Sequence, residues 1–202
     1  MKKSLFSALF SVGALSAAAS AAPISNASSG IANADQTITF DEVALAPGTV
    51  VTDQYEALGV TFSPNLFYIE NFSNRPNLDD PGLASFGSSG TLTTYTINFT
   101  DAVSAASLAF SANFGNFTFT ALDGGSTVES FNFDAGFSST TAFFGFEGIV
   151  FDAIEIQSSN AFTIIDNLSY SEVPVPAALP IYLGGLAVGG VIMRRRKKAR
   201  AA

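Results

Sequence analysis

Glu42 and Asp166 stand in phase with apolar residues of the first and last alternating stretches of the chain. Ile38, Phe40 and Glu42 share one parity, and Phe162, Ile164, Asp166, Leu168 and Tyr170 share one parity at the other end. If the apolar members face a core, both carboxylates face it with them. A carboxylate taken out of water requires a charge partner, hydrogen bonds or a proton. Arg75 is the one basic side chain between the two ends of the chain, so ion pairing cannot serve both acids. A structural Ca²⁺ held by Glu42 and Asp166 between neighbouring terminal strands would satisfy both. The alternatives are β-bulges that turn the acids outward, or backbone N–H donors that satisfy them.

A second candidate site is the stretch Asn71 to Gly90, NFSNRPNLDDPGLASFGSSG, about 20 residues rich in turn formers. Loops beyond about 12–15 residues are usually functional or disordered. Arg75, Asp79 and Asp80 lie in it, with Tyr68 and Phe72 at its entrance. Aromatic rings beside planar polar groups suit a sugar, although the chain has no Trp to stack on one; a plain surface loop is the alternative. Catalytic chemistry is more restricted. Cysteine and histidine are absent, which removes thiol nucleophiles, thiolate metal sites, the Ser-His-Asp arrangement and the usual general base. The part between the two ends has no Lys, so a Ser-Lys pair is excluded there too. The 17 acidic residues make a carboxylate pair easy to find by chance, so a glycosidase pair carries almost no specificity.

The elements that must position these residues are strands. From Thr37 onward, Phe, Tyr, Ile and Val alternate with Thr, Asn and Ser, as in Tyr95-Thr96-Ile97-Asn98-Phe99 and Phe117-Thr118-Phe119-Thr120. Gly- and Asp-rich turns such as Leu122-Asp123-Gly124-Gly125-Ser126 separate the runs. Strands are expected near 37–40, 48–52, 59–63, 66–71, 91–99, 104–111, 115–122, 127–133, 139–146, 148–157 and 161–170, some of them merging. Many short strands without a helical period predict an all-β fold, a β-sandwich of the jelly-roll kind, over residues 35–172. Of the 20 Phe residues, 18 fall in this body, where they are expected to fill the core. Residues 22–34 have no period and read as a flexible leader.

The two ends read as addresses. Met1-Lys2-Lys3, an apolar run from Leu5 to Ala19, and Ala19-Ser20-Ala21 describe a secretory signal peptide over residues 1–21. At the other end, residues 177–193 carry no charge and are followed by Arg194-Arg195-Arg196-Lys197-Lys198-Ala199-Arg200. That span would be about 26 Å long as a helix, enough to cross a bilayer core. The basic cluster 194–200 is expected to stay cytoplasmic, which places the body outside the cytoplasm. Between the ends, 17 acidic residues face Arg75 alone, a net charge of −16. Such a body is repelled by phosphate backbones, so no nucleic-acid partner is expected.

The run Val173-Pro174-Val175-Pro176-Ala177-Ala178-Leu179-Pro180, the apolar span and the basic cluster resemble the PEP-CTERM sorting signal, in its Val-Pro-x-Pro-Ala-Ala form, over residues 173–202. Val175 stands where the family's namesake motif has Glu. The resemblance implies export, transient inner-membrane anchoring, processing by an exosortase-type membrane protease, and delivery to the cell surface or extracellular matrix of a Gram-negative bacterium. Val173, Pro174, Pro176, Ala177, Ala178, Leu179, Pro180, Arg194, Arg195 and Arg196 are the residues that match it. Gly59-Val60-Thr61-Phe62-Ser63 and Ile165-Asp166-Asn167-Leu168-Ser169-Tyr170 are similar to strands found in bodies that carry this tail, and in outline to jelly-roll carbohydrate-binding modules. The expectation is a non-catalytic exported surface or matrix protein, with exopolysaccharide as candidate ligand. A carboxylate-dependent glycosidase or lyase and a purely structural or adhesive matrix protein are the alternatives.

Overall fold

The computed structural model describes residues 22–63, 66–72, 77–86, 93–112, 115–135, 142–158 and 162–174. The expected signal peptide over residues 1–21, Arg75, and the part of the expected sorting segment beyond Pro174 lie outside the described residues. The described residues form ten strands: β1 (Ala22–Ala27), β2 (Gln36–Ile38), β3 (Val60–Phe62), β4 (Phe67–Ile69), β5 (Gly82–Phe86), β6 (Thr93–Ala112), β7 (Gly115–Asp123), β8 (Ser126–Ala135), β9 (Ala142–Ser158) and β10 (Phe162–Glu172). One 3-10 turn, Glu56–Leu58, precedes β3.

All strands belong to one hydrogen-bonded sheet in the order β4-β5-β10-β6-β9-β7-β8, with β1 on β9, β2 on β10 and β3 on β6. The two longest strands make this sheet a sandwich. The second half of β6, from Val103, pairs with the first half of β9 and with β10, while its first half, Thr93 to Asn98, pairs with the second half of β9. Register irregularities separate the halves on either side of Val103. β4, β5, β10, β1 and the inner halves next to them form layer 1; β3, β7, β8 and the other halves form layer 2. The all-β class expected from the alternation is the class observed.

Phenylalanine fills the space between the layers. Phe110 of β6 lies 5.2 Å from Phe119 of β7 and 5.5 Å from Phe144 of β9. Phe119 stacks on Phe144 and on Phe131 of β8, each at 5.1 Å. Phe110, Phe119 and Phe144 are buried, while Phe131 and Phe133 of the edge strand pack on the cluster with partial exposure. Alternation puts Thr118, Thr120, Thr96 and Asn98 on the opposite, outward face of layer 2.

The structure differs from the expected elements at several places. Residues 22–34 are not a free leader: β1 pairs with β9, and the Ile31 N–H donates to Ser107 Oγ at 3.0 Å. The expected strand at 48–52 reduces to a bridge between Val50 and Phe67. The expected loop 71–90 contains β5, held between β4 and β10. Gly82-Leu83-Ala84-Ser85-Phe86 is small and mixed, and it becomes a strand because both neighbours offer it ladder partners, which overrides propensity. The pairs 91–99 with 104–111, and 139–146 with 148–157, merge into β6 and β9.

Gly145 marks the closest approach in layer 1. A Cβ there would meet the Ala106 carbonyl oxygen and the Ser107 Cα, both backbone atoms of the neighbouring strand. Gly145→Ala is therefore expected to lower the urea-unfolding free energy by about 1–3 kcal/mol. Phe119→Ala, which empties the centre of the core, should lower it by about 3–5 kcal/mol. A Gly145→Ala protein as stable as the parent would show that the two strands can separate without loss.

Candidate functional site

Asp166 is fully buried, as its phase with the apolar residues implies, but it does not face the main core. β10 carries one extra residue here: Asp166 opposes Ala109 while Ser169 opposes Ser107, so three steps on β10 match two on β6. Asn167 absorbs the bulge with a positive φ of 48°. The bulge reverses parity. Leu168 and Tyr170 point into the main core with Ile165, whereas Ile164 packs with Ala84, Ala109 and Leu78 in a smaller cluster on the outer face of layer 1. Asp166 shares that outer side, and the expected single inward face from Phe162 to Tyr170 is split in two.

The carboxylate is satisfied by backbone. Asp79 N–H donates to Oδ2 and Asn167 N–H to Oδ1, both at 2.6 Å. Asn167 Nδ2 donates to the Asn77 carbonyl at 2.9 Å and ties the same segment down. Burial pushes the Asp166 carboxyl up to about 7; the two N–H bonds oppose this, and the charges of Asp79 and Glu42 add to it. Glu42 itself is exposed and accepts from Thr39 N–H at 2.9 Å. Strand β2 ends at Ile38, and Phe40 adopts a positive φ of 65°, so the parity that was to carry Glu42 inward does not extend to it. β2 and β10 are neighbours as expected, with Ile38 opposite Leu168. The pair does not fit Ca²⁺: both Asp166 oxygens already accept short N–H bonds and Glu42 lies at the surface. Among the described residues no group of three or more metal-ligating side chains is assembled.

The candidate loop residues separate. Tyr68 is 4% exposed and belongs to the main core, where burial first, then the charges of Glu70, Asp80 and Asp41, raise its hydroxyl above the usual value. Phe72 packs on Gly82 and the outer cluster. Asp80 accepts the Asn71 N–H, and Asp79 contributes its backbone to Asp166. Phe72, Asn77, Leu78 and Asp79 thus form a strap over the bulge of β10.

Two surfaces escaped the sequence reading. On the outer face of layer 1, Phe86 lies 5.5 Å from Phe67 and 5.3 Å from Phe162, and Phe86 is 57% exposed. Phe67 and Phe162 are half-buried. The three rings form a strip across β4, β5 and β10, because Phe86 opposes Phe162 and Phe67 opposes Ala84. The alternation Phe67-Tyr68-Ile69 carried a signal for it, since a buried Tyr68 sends Phe67 outward; Phe86 had none while β5 was read as loop. On layer 2, a cleft of about 290 Å³ is lined by Asn98, Phe99, Leu122, Asp152, Ala153 and the Gly124–Gly125 turn.

The raised Asp166 carboxyl has a consequence for stability. Its folded value lies above the ordinary 3.8, so the folded chain holds the proton where the unfolded chain has lost it. The stabilisation is complete below about pH 4 and is lost as pH rises towards 7. Asp166→Asn cannot lose a proton, but offers one acceptor to two N–H donors and should be less stable by about 1–3 kcal/mol. Urea midpoints from pH 4 to 8 should fall more in the parent than in Asp166→Asn, since the general repulsion among surface acids is common to both. Parallel curves would show that Asp166 does not titrate in this range.

No family model matches the chain, and no curated protein matches it. Among solved structures, similarity is found to a family 29 carbohydrate-binding module from Piromyces equi, at 15% identity over 62% of this chain and 89% of that one, with a TM-score of 0.33. A family 32 carbohydrate-binding module from a family 31 glycoside hydrolase of Clostridium perfringens is similar at 12% identity, covering 54% of this chain and 92% of that one, with a TM-score of 0.34. A family 61 carbohydrate-binding module solved with β-1,4-galactotriose is similar at 8% identity, covering 59% of this chain and 94% of that one, with a TM-score of 0.33.

Proposed function

We propose that this chain is a non-catalytic protein, exported and sorted through its PEP-CTERM-like tail, that binds polysaccharide on the Phe67–Phe86–Phe162 strip. The observation that carries the reading is Phe86, a large aromatic ring exposed on a sheet face and flanked by two more. Exposed apolar patches mark interaction surfaces. A pyranose presents C–H groups on its faces and hydroxyls at its rim, so a shallow row of rings takes its faces without a deep pocket. The net charge of −16 between the two ends favours neutral glycans over anionic ones. Against catalysis stands the distribution of acids. The carboxyl raised to about 7 is Asp166, fully buried under the strap, and the layer 2 cleft is lined by one carboxylate, Asp152, where glycoside hydrolysis uses two.

In affinity electrophoresis through gels containing neutral polysaccharides, Phe86→Ala should lose at least tenfold in retention, with its unfolding free energy within about 0.5 kcal/mol of the parent, as for a surface change. Undiminished retention would sink the strip as the binding surface. For sorting, the intact mass of the protein recovered from the cell surface or medium should lack residues 1–21 and most of 173–202. Recovery with Arg194 to Arg200 still attached would make the tail a plain anchor.

A further inference from the structure

The cleft on layer 2 has a chemistry of its own. Its lining combines the apolar residues Leu122, Ala153 and Phe99 with the polar side chains of Asn98 and Asp152. The Asp152 carboxylate is fixed by the Gly124 N–H, which donates to Oδ2 at 2.9 Å. Gly124 and Gly125 both have positive φ, 54° and 78°, as a two-residue hairpin of the I′ kind requires. A Cβ at either position would meet nothing within 4 Å, so the turn borders open space and presents backbone rather than side chains to the cleft.

The strands extend this site. Ala153 lies opposite Asn98 on one side and Leu122 on the other. Two residues along, Glu155 lies between Thr96 and Thr120, and two further along, Gln157 lies between Thr94 and Thr118. All share the outward face, because Tyr95, Ile97, Ile154, Ile156, Phe117 and Phe119 are buried on the other. The cleft therefore opens onto a ladder of hydroxyl, amide and carboxylate groups, spaced about 6–7 Å from row to row.

We infer that this cleft is a second binding site, which takes a terminal neutral sugar residue and lets the following residues of its chain lie along the Thr-Glu-Thr and Thr-Gln-Thr rows. A lining that combines apolar side chains with an amide and a carboxylate matches one face and the edge hydroxyls of a pyranose. At about 290 Å³ the cleft sits at the lower end of the range for small-molecule sites, roughly 300–1,000 Å³, which suits one ring. A single carboxylate is too few oxygen ligands for a hard cation, and among the described residues no basic group lines the cleft to hold a phosphate or uronate. The site is separate from the aromatic strip, lies on the other layer, and does not depend on it. With both occupied, one copy of the protein holds two chains.

The test uses the purified full-length chain, ¹⁵N-labelled, titrated with neutral tetraoses of glucose, galactose, mannose and N-acetylglucosamine, and with a tetraose of galacturonate. At least one neutral tetraose should shift the amide resonances of Gly124 and Gly125. Asn98→Ala should weaken that titration at least tenfold. Asp152→Asn, which keeps an oxygen for the Gly124 N–H, should weaken it less, and Phe86→Ala should leave it unchanged. Resonances of the core residues Phe110 and Phe144 should not move in Asn98→Ala, which separates lost contact from unfolding. The inference is overturned if no neutral tetraose shifts the turn, if Asn98→Ala binds as the parent does, or if galacturonate or Ca²⁺ alone produces the same shifts. If Phe86→Ala abolishes the turn shifts, the cleft is not independent and the inference fails while the strip reading stands.

Discussion

The extra residue at Asp166–Asn167 sets the direction of every side chain on either side of it in β10. Downstream, Leu168 and Tyr170 enter the main core; upstream, Ile165 does so while Phe162 and Ile164 are sent to the outer face. Without the bulge, a strand alternating from Phe162 to Tyr170 would bury Phe162, and the aromatic strip would lose one of its rings. The bulge also divides the labour of one strand edge. β5 pairs with β10 from Phe162 to Ile165, and β2 pairs with it from Leu168 to Tyr170. Asp166 and Asn167 lie between these two ladders, where no strand partner stands on that edge. The carboxylate there turns to the backbone of Asp79 instead, and so anchors the strap that leads into β5.

The sandwich separates its two outer faces chemically. Between the layers, Phe110, Phe119 and Phe144 make edge-on and stacked contacts that give aromatic cores their packing specificity. Outside layer 1, the β1–β2 connection covers the centre through Ile31 and Ser107, and the strap covers Asp166. At one end Phe86 is exposed between the half-buried Phe67 and Phe162. Outside layer 2, threonine, asparagine and glutamine form a polar surface that meets the β7–β8 turn at the cleft.

Charge acts mainly through what the body lacks. With Arg75 as its single base, ion pairs cannot organise the acids, and most acids stay at the surface where solvent screens them. Asp166 is the exception: two short N–H bonds hold its carboxyl without offsetting its burial, which pushes it up to about 7. The same lack of bases removes the groups that would hold phosphates or uronates.

The sequence by itself determined the all-β class, the core role of phenylalanine and the exclusion of histidine and cysteine chemistry. These rest on composition and local period, which need no knowledge of neighbours. Asp166 was legible as buried for the same reason. Tertiary structure decided the rest. It turned Glu42 to the surface by breaking β2 at Phe40, and put Tyr68 in the core. It made Gly82–Phe86 a strand because β4 and β10 flank it. It gathered Phe67, Phe86 and Phe162 from three strands, and Asn98, Leu122 and Asp152 from three others. Period 2 tells which residues share a face of one strand; which faces meet, and where an added residue reverses them, is set by pairing between distant segments.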